Sequence, residues 1–235
     1  MKLLIQKLLA VGTGVLVATT VSVQGATLYD NSTVDTGNSL NFTNGWIIGN
    51  EITLGGGISS ALVTNFSFEI YSTLATFTGP NVQMRAFLYA NDGVPFNGYA
   101  TPFTTNYDSG LFTLLTQQQY QGINAVTLSF DLSATPVAVG SDFTFAIVVT
   151  GLASSDTVGM ELFNPAGFGL NHDDYWLNSG GGWALLTNAV PTDFGARFSG
   201  TVTPEPSALY LGAVGATLLT GITWLRRRQN SAKPN

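Results

Sequence analysis

The sequence predicts an all-β protein: a single antiparallel β-sandwich, jelly-roll-like in size, with an N-terminal signal peptide before it and one C-terminal transmembrane helix after it. Three observations carry this expectation. Short apolar–polar alternations recur between residues 26 and 203. Phe66, Phe68 and Ile70 alternate with Ser67, Glu69 and Tyr71, and Leu128, Phe130 and Leu132 alternate with Thr127, Ser129 and Asp131. A period of two puts every second side chain on one face of a half-buried strand. Clusters such as Asn44-Gly45, Asn91-Asp92-Gly93, Asn97-Gly98 and Gly180-Gly181-Gly182 separate the runs, and these residue types supply the positive φ angles that tight turns need. Helical spacing is confined to one short stretch, 113–121, which ends at Gly122.

The chain opens with Lys2 and Lys7, an apolar and small-residue run over 8–23, and small residues around Val23-Gln24-Gly25-Ala26. That order of charged, apolar and cleavable regions is a secretory signal peptide. Residues 1–25 are expected to be removed, leaving Ala26 as the mature N-terminus. The chain has no Cys. An exported body therefore has to be stabilised by its core rather than by disulfides.

Residues 26–201 form the ectodomain. Strands are expected over 46–54, 84–90, 143–150, 159–163, 183–187 and 194–201, all rich in β-branched and aromatic residues. With no internal repeat at a fixed period, one sandwich accounts for the pattern better than a solenoid or propeller. The whole chain is 45% hydrophobic and 11% aromatic, enough for a core and too apolar for a disordered chain.

Residues 202–228 have three parts: Pro204, Glu205 and Pro206; an uncharged run over 207–225; and Arg226, Arg227 and Arg228. Nineteen helical residues span roughly 28 Å, about the hydrocarbon thickness of a bilayer. The three arginines orient the helix with the tail 229–235 in the cytoplasm and the body outside. Pro206 and Ser207 suit a helix start.

This proline-acid-proline motif, apolar helix and arginine cluster together resemble the PEP-CTERM sorting signal of Gram-negative bacteria. The resemblance implies recognition of Pro204, Glu205 and Pro206 by a membrane-embedded exosortase and cleavage at or near the motif. Release to the cell surface or extracellular matrix would follow. Tails of this kind also go by the name ice-binding protein C-terminal domain, which implies no ice binding by the body. The body is similar, more loosely, to the choice-of-anchor β-sandwich ectodomains found before such tails. The residues carrying that likeness are Phe87-Leu88-Tyr89-Ala90 leading into Asn91-Asp92-Gly93, and Tyr107-Asp108-Ser109-Gly110.

Charge narrows the function. Residues 26–203 hold 13 acids and two bases, Arg85 and Arg197. Nucleic-acid binding is excluded on this balance, because neutralising phosphates takes Lys and Arg. Asp35-Thr36-Gly37 and Asp108-Ser109-Gly110 have the Asp-[Ser/Thr]-Gly form of paired protease aspartates, but the body is too short for a two-lobed fold, and turn formation explains them. His172 is the only histidine, and no Gly-x-Ser-x-Gly elbow accompanies it. A zinc site at His172 would have to draw its other ligands from carboxylates alone.

The segment around His172 also reads as a glycan platform. Tyr175, Trp176 and Trp183 would stack on sugar rings, while Asp173 and Asp174 bind hydroxyls or hold Ca²⁺; apart from that ion, no cofactor is expected. The bland alternative is an exposed turn flanked by core tryptophans. Glu51, Glu69 and Glu161 are the candidates for paired-carboxylate glycoside chemistry.

The expectation is an exported, non-enzymatic surface or matrix protein associated with exopolysaccharide, whose other partners are the translocon, signal peptidase and exosortase. A lectin-like module is the alternative, and a secreted hydrolase the third reading.

Overall fold

A computed structural model describes residues 25–72, 82–114 and 124–203. The signal peptide, the Pro204 to Pro206 motif, the 207–225 helix and the arginine cluster lie outside the described residues, as does most of the short helix expected over 113–121. Thr113 itself ends a two-residue strand.

Fifteen strands are described: β1 (Ala26–Asn31), β2 (Asp35–Asn41), β3 (Ile47–Thr53), β4 (Ser60–Ser72), β5 (Gln83–Ala90), β6 (Thr105–Asp108), β7 (Phe112–Thr113), β8 (Asn124–Asp131), β9 (Val137–Gly140), β10 (Asp142–Thr150), β11 (Val158–Phe163), β12 (Leu170–Asn171), β13 (Asp174–Asn178), β14 (Trp183–Thr187) and β15 (Ala196–Val202). Every pairing between them is antiparallel. The first sheet runs β1-β15-β4-β11-β2, with β8 and β9 also on β4. The second runs β14-β13-β3-β10-β5-β6, with β12 on β3 and β7 on β5.

The two sheets pack face to face through phenylalanines. Phe66 lies between Phe198 and Phe130 in register, and its ring meets Phe145 of the other sheet at 5.9 Å edge-on. Phe143 meets Phe198 in the same way at 5.1 Å. The alternation in β4 does what period two requires: Phe66, Phe68 and Ile70 are buried in this core, whereas Ser67 and Glu69 turn outward.

The second sheet differs on its outer face. In β10 seven consecutive residues are buried, so both faces are covered. Phe143, Phe145, Ile147 and Val149 enter the main core. Ala146 and Val148 join Phe87 and Tyr89 in a separate apolar cluster, with Ile47 and Trp183 packed against it. Part of that outer face lies under the loop 91–104. Its tip is a two-residue hairpin in which Phe96 and Tyr99 exchange backbone hydrogen bonds. Asn97 (φ 52°) and Gly98 (φ 89°) supply the left-handed pair such a turn needs. Asn91 accepts a 2.6 Å hydrogen bond from Thr144, tying the loop to the sheet.

Candidate functional site

The segment that the sequence singles out, from His172 to Trp183, crosses the second sheet beside β3. Asn171 pairs with Ile52 and Trp176 with Gly49, so residues 172–175 stand opposite only Asn50 and Glu51. This is a bulge, and it leaves backbone carbonyls without ladder partners. Asn50, 1% exposed, fills the gap by directing its amide nitrogen at His172 O, Asp174 O and Thr192 O, at 3.4, 3.3 and 3.2 Å.

The bulge and the strand alternation scatter the expected platform. Trp176 is wholly buried on the outer face, with Phe96 of the loop hairpin edge-on at 6.4 Å. It offers no ring face to a sugar, which corrects that expectation. Tyr175 points the other way and packs against the main core. Trp183 is half-buried and meets Tyr89 edge-on at 5.5 Å. Asp174 shares the outer face with Trp176 by strand alternation, whereas Asp173 faces Asn164 at the end of the sandwich. Strand alternation thus sets the neighbouring aspartates toward different surroundings.

His172 and Glu51 do come together. His172 Nε2 lies 3.9 Å from Glu51 Oε1, and the Tyr99 ring stands edge-on to the imidazole at 6.1 Å. Burial raises the Glu51 carboxyl above its ordinary range, with Asp142 adding to the rise and His172 opposing it. The Trp176 indole N–H is directed toward Glu51 without forming a well-aligned hydrogen bond. Asp142, on the same face, accepts from Thr53 and Ser141.

The other two glutamate candidates lie near each other, both strands bonding to Gly195, but away from Glu51. Glu69 and Glu161 belong to the first sheet, on the opposite side of the molecule from Glu51. Their carboxyls are raised by burial and then by Asp35, and Glu161 also by Glu69. Asp35 sits in β2 of the first sheet and Asp108 in β6 of the second, so they form no protease pair. Each accepts the backbone N–H two residues on, from Gly37 and Gly110 at 2.8 and 2.9 Å, which is turn chemistry. Asp108 also pairs with Arg85, whose guanidinium lies 5.0 Å over the Phe87 ring. Among the described residues no three His, Cys, Asp or Glu side chains come together in one cluster.

Sequence reasoning missed a buried polar centre around Asp193, which is 0% exposed. Its Oδ2 accepts from Asn164 Nδ2 at 2.8 Å, and the same amide reaches Asp173 Oδ1 at 3.4 Å. Asn31, also 0% exposed, donates to Phe163 O and Phe194 O at 2.8 and 3.2 Å. Asn50 reaches Thr192 O on the other side. Burial, reinforced by Asp173, pushes the Asp193 carboxyl up to about 7, against the Asn164 hydrogen bond. Asn31, Asn50 and Asn164 come from distant parts of the sequence, and no local spacing signals their meeting.

No family model, curated protein or solved structure matches the chain. The class defined by fold and site is an all-β sandwich carrying a bulged, acid-rich strand segment.

Proposed function

We propose that this is an exported, non-enzymatic surface or matrix protein. Its jelly-roll-sized sandwich is delivered by the signal peptide 1–25, held by the 207–225 helix and processed by an exosortase-type enzyme at Pro204, Glu205 and Pro206. One observation supports this most. The first and last strands of the sandwich are neighbours, with Ala26 opposite Gly200, and Thr203 N still donates to Ser60 O at 3.0 Å. Among the described residues the sheet thus begins at the expected mature N-terminus and ends directly before the sorting motif. Removing both targeting segments deletes no strand among the described residues.

The surface that results suits association with polysaccharide. Both arginines of the body are engaged, Arg85 with Asp108 and Arg197 with Asp30, which leaves an acidic exterior rich in hydroxyl and amide groups. Such a surface hydrogen-bonds neutral polymers and repels anionic ones. The test is fractionation of cells expressing wild type or Glu205→Ala. The wild type should leave the inner membrane for the surface or medium, and the variant should accumulate as membrane-bound precursor. Equal release of both proteins would refute the sorting claim.

A lectin-like reading retains one specific support, the half-buried Trp183 on the outer face beside Tyr89. It would show as glycan-array binding lost on Trp183→Ala.

A further inference from the structure

Asp193 presents a problem of charge that the protein itself has to solve. It is fully buried, its nearest charged neighbour is another acid, Asp173, and among the described residues every basic group is committed elsewhere. Arg85 binds Asp108, Arg197 binds Asp30 and Ser32, and His172 stands against Glu51. An unpaired carboxylate in such a place costs several kcal/mol unless something neutralises it.

The amide side chains that bond the residues flanking it leave their own oxygens unpaired. Asn31 and Asn50 spend their amide nitrogens on backbone carbonyls, so their Oδ1 atoms are turned away from those bonds. Asn31 Oδ1, Asn50 Oδ1, Asp193 Oδ1 and the Tyr29 hydroxyl are all buried without a hydrogen-bond partner. Tyr29 stands beside the Asn31 amide and feels the Asp193 charge. Asn31 and Asn50 grip the carbonyls of Phe194 and Thr192, the residues on either side of Asp193. Three buried acceptor oxygens without donors, beside a tyrosine hydroxyl that is also unpaired, are rare in a folded protein. An oxygen-only set including a carboxylate is what a hard cation requires, and Ca²⁺ accepts mixed carboxylate, amide and carbonyl oxygens in flexible geometry.

We propose that this centre is a Ca²⁺-binding site, with Asp193, Asn31 and Tyr29 as its principal side-chain donors, Asn50 completing it across the segment 192–194, and Asp173 supplying a second negative charge at its outer side. The ion would join β1, β3, the bulge before β13 and the approach to β15, fastening both sheets at one end of the sandwich. The centre is independent of the sorting tail, and so is its test.

The full-length protein, purified in detergent and stripped with a chelator, is titrated with Ca²⁺ alone while thermal unfolding is followed. At about 1 mM Ca²⁺ the midpoint should rise by about 5 °C, and elemental analysis after gel filtration should find close to one Ca²⁺ per chain. Asp193→Asn, nearly isosteric, should abolish both effects; Asp173→Asn should weaken binding about tenfold, and the exposed Asp131→Asn should leave it unchanged. Absence of bound calcium and of any shift in the wild type would overturn the proposal, leaving protonation as the means of neutralising Asp193. Calcium retained equally by wild type and Asp193→Asn would overturn it too, because the ion would then sit elsewhere. The wild-type calcium count decides the matter even if a variant does not fold.

Discussion

Trp176 and Asp193 show how burial assigns roles at the scale of single residues. Trp176 is among the largest fully buried side chains, and its truncation to alanine should destabilise the fold by about 3–5 kcal/mol, read as a large fall in the unfolding midpoint. Trp183→Ala, half-buried on the same face, should cost clearly less. The sequence placed both tryptophans in one cluster, because spacing shows proximity along the chain but not which ring the loop hairpin covers. Asp193 offered no signal at all: between Pro191 and Phe194 it reads as a loop acid. Its consequence is a pH dependence of known sign. With the folded carboxyl near 7 and the unfolded one near 4, the folded state holds the extra proton between those values, so this group's stabilising contribution is present below about pH 4 and lost as pH rises through 7. In Ca²⁺-free buffer, wild type should therefore lose stability relative to Asp193→Asn between about pH 4 and pH 8, by on the order of 4 kcal/mol. Parallel denaturation curves across that range would contradict it.

At the scale of elements, the strands that alternate cleanly were legible and those that do not were hidden. Residues 46–54, 84–90, 143–150, 159–163, 183–187 and 194–201 correspond to β3, β5, β10, β11, β14 and β15, because each sets apolar side chains against a core. β2 reads Asp-Thr-Gly-Asn-Ser-Leu-Asn; as a polar edge strand it has no buried face to impose a pattern. β13 escaped notice because the bulge before it displaces the register, and its Asp-Tyr-Trp start looks like a turn. Asn50 is the residue that makes this bulge tolerable. Asn50→Ala should leave the carbonyls of His172, Asp174 and Thr192 unmet, at about 1–3 kcal/mol, measurable by denaturant titration. The loop hairpin has its own test. Gly98 holds φ 89°, so Gly98→Ala should cost about 1 kcal/mol and loosen the cover over Trp176, shifting tryptophan emission to the red. Unchanged emission would mean that the hairpin does not shield the indole.

At the scale of the whole molecule, composition and alternation were enough to anticipate an all-β sandwich, while its polar interior depends on contacts between residues such as Asn31 and Phe194, 163 positions apart. The acid excess described from sequence takes two forms in space: surface carboxylates on both sheets, and a buried one that needs a counterion or a proton. The surface charge predicts selectivity, with retention on neutral polysaccharide exceeding retention on an anionic one at low salt and the difference shrinking as salt screens it. The central claim is that the sandwich is what remains after two targeting segments are removed. Intact-mass analysis of the protein recovered from the surface or medium measures this directly. The account predicts a chain beginning at Ala26 and ending within 204–207. Recovery of a surface protein that still carries Arg226 through Asn235 would contradict it.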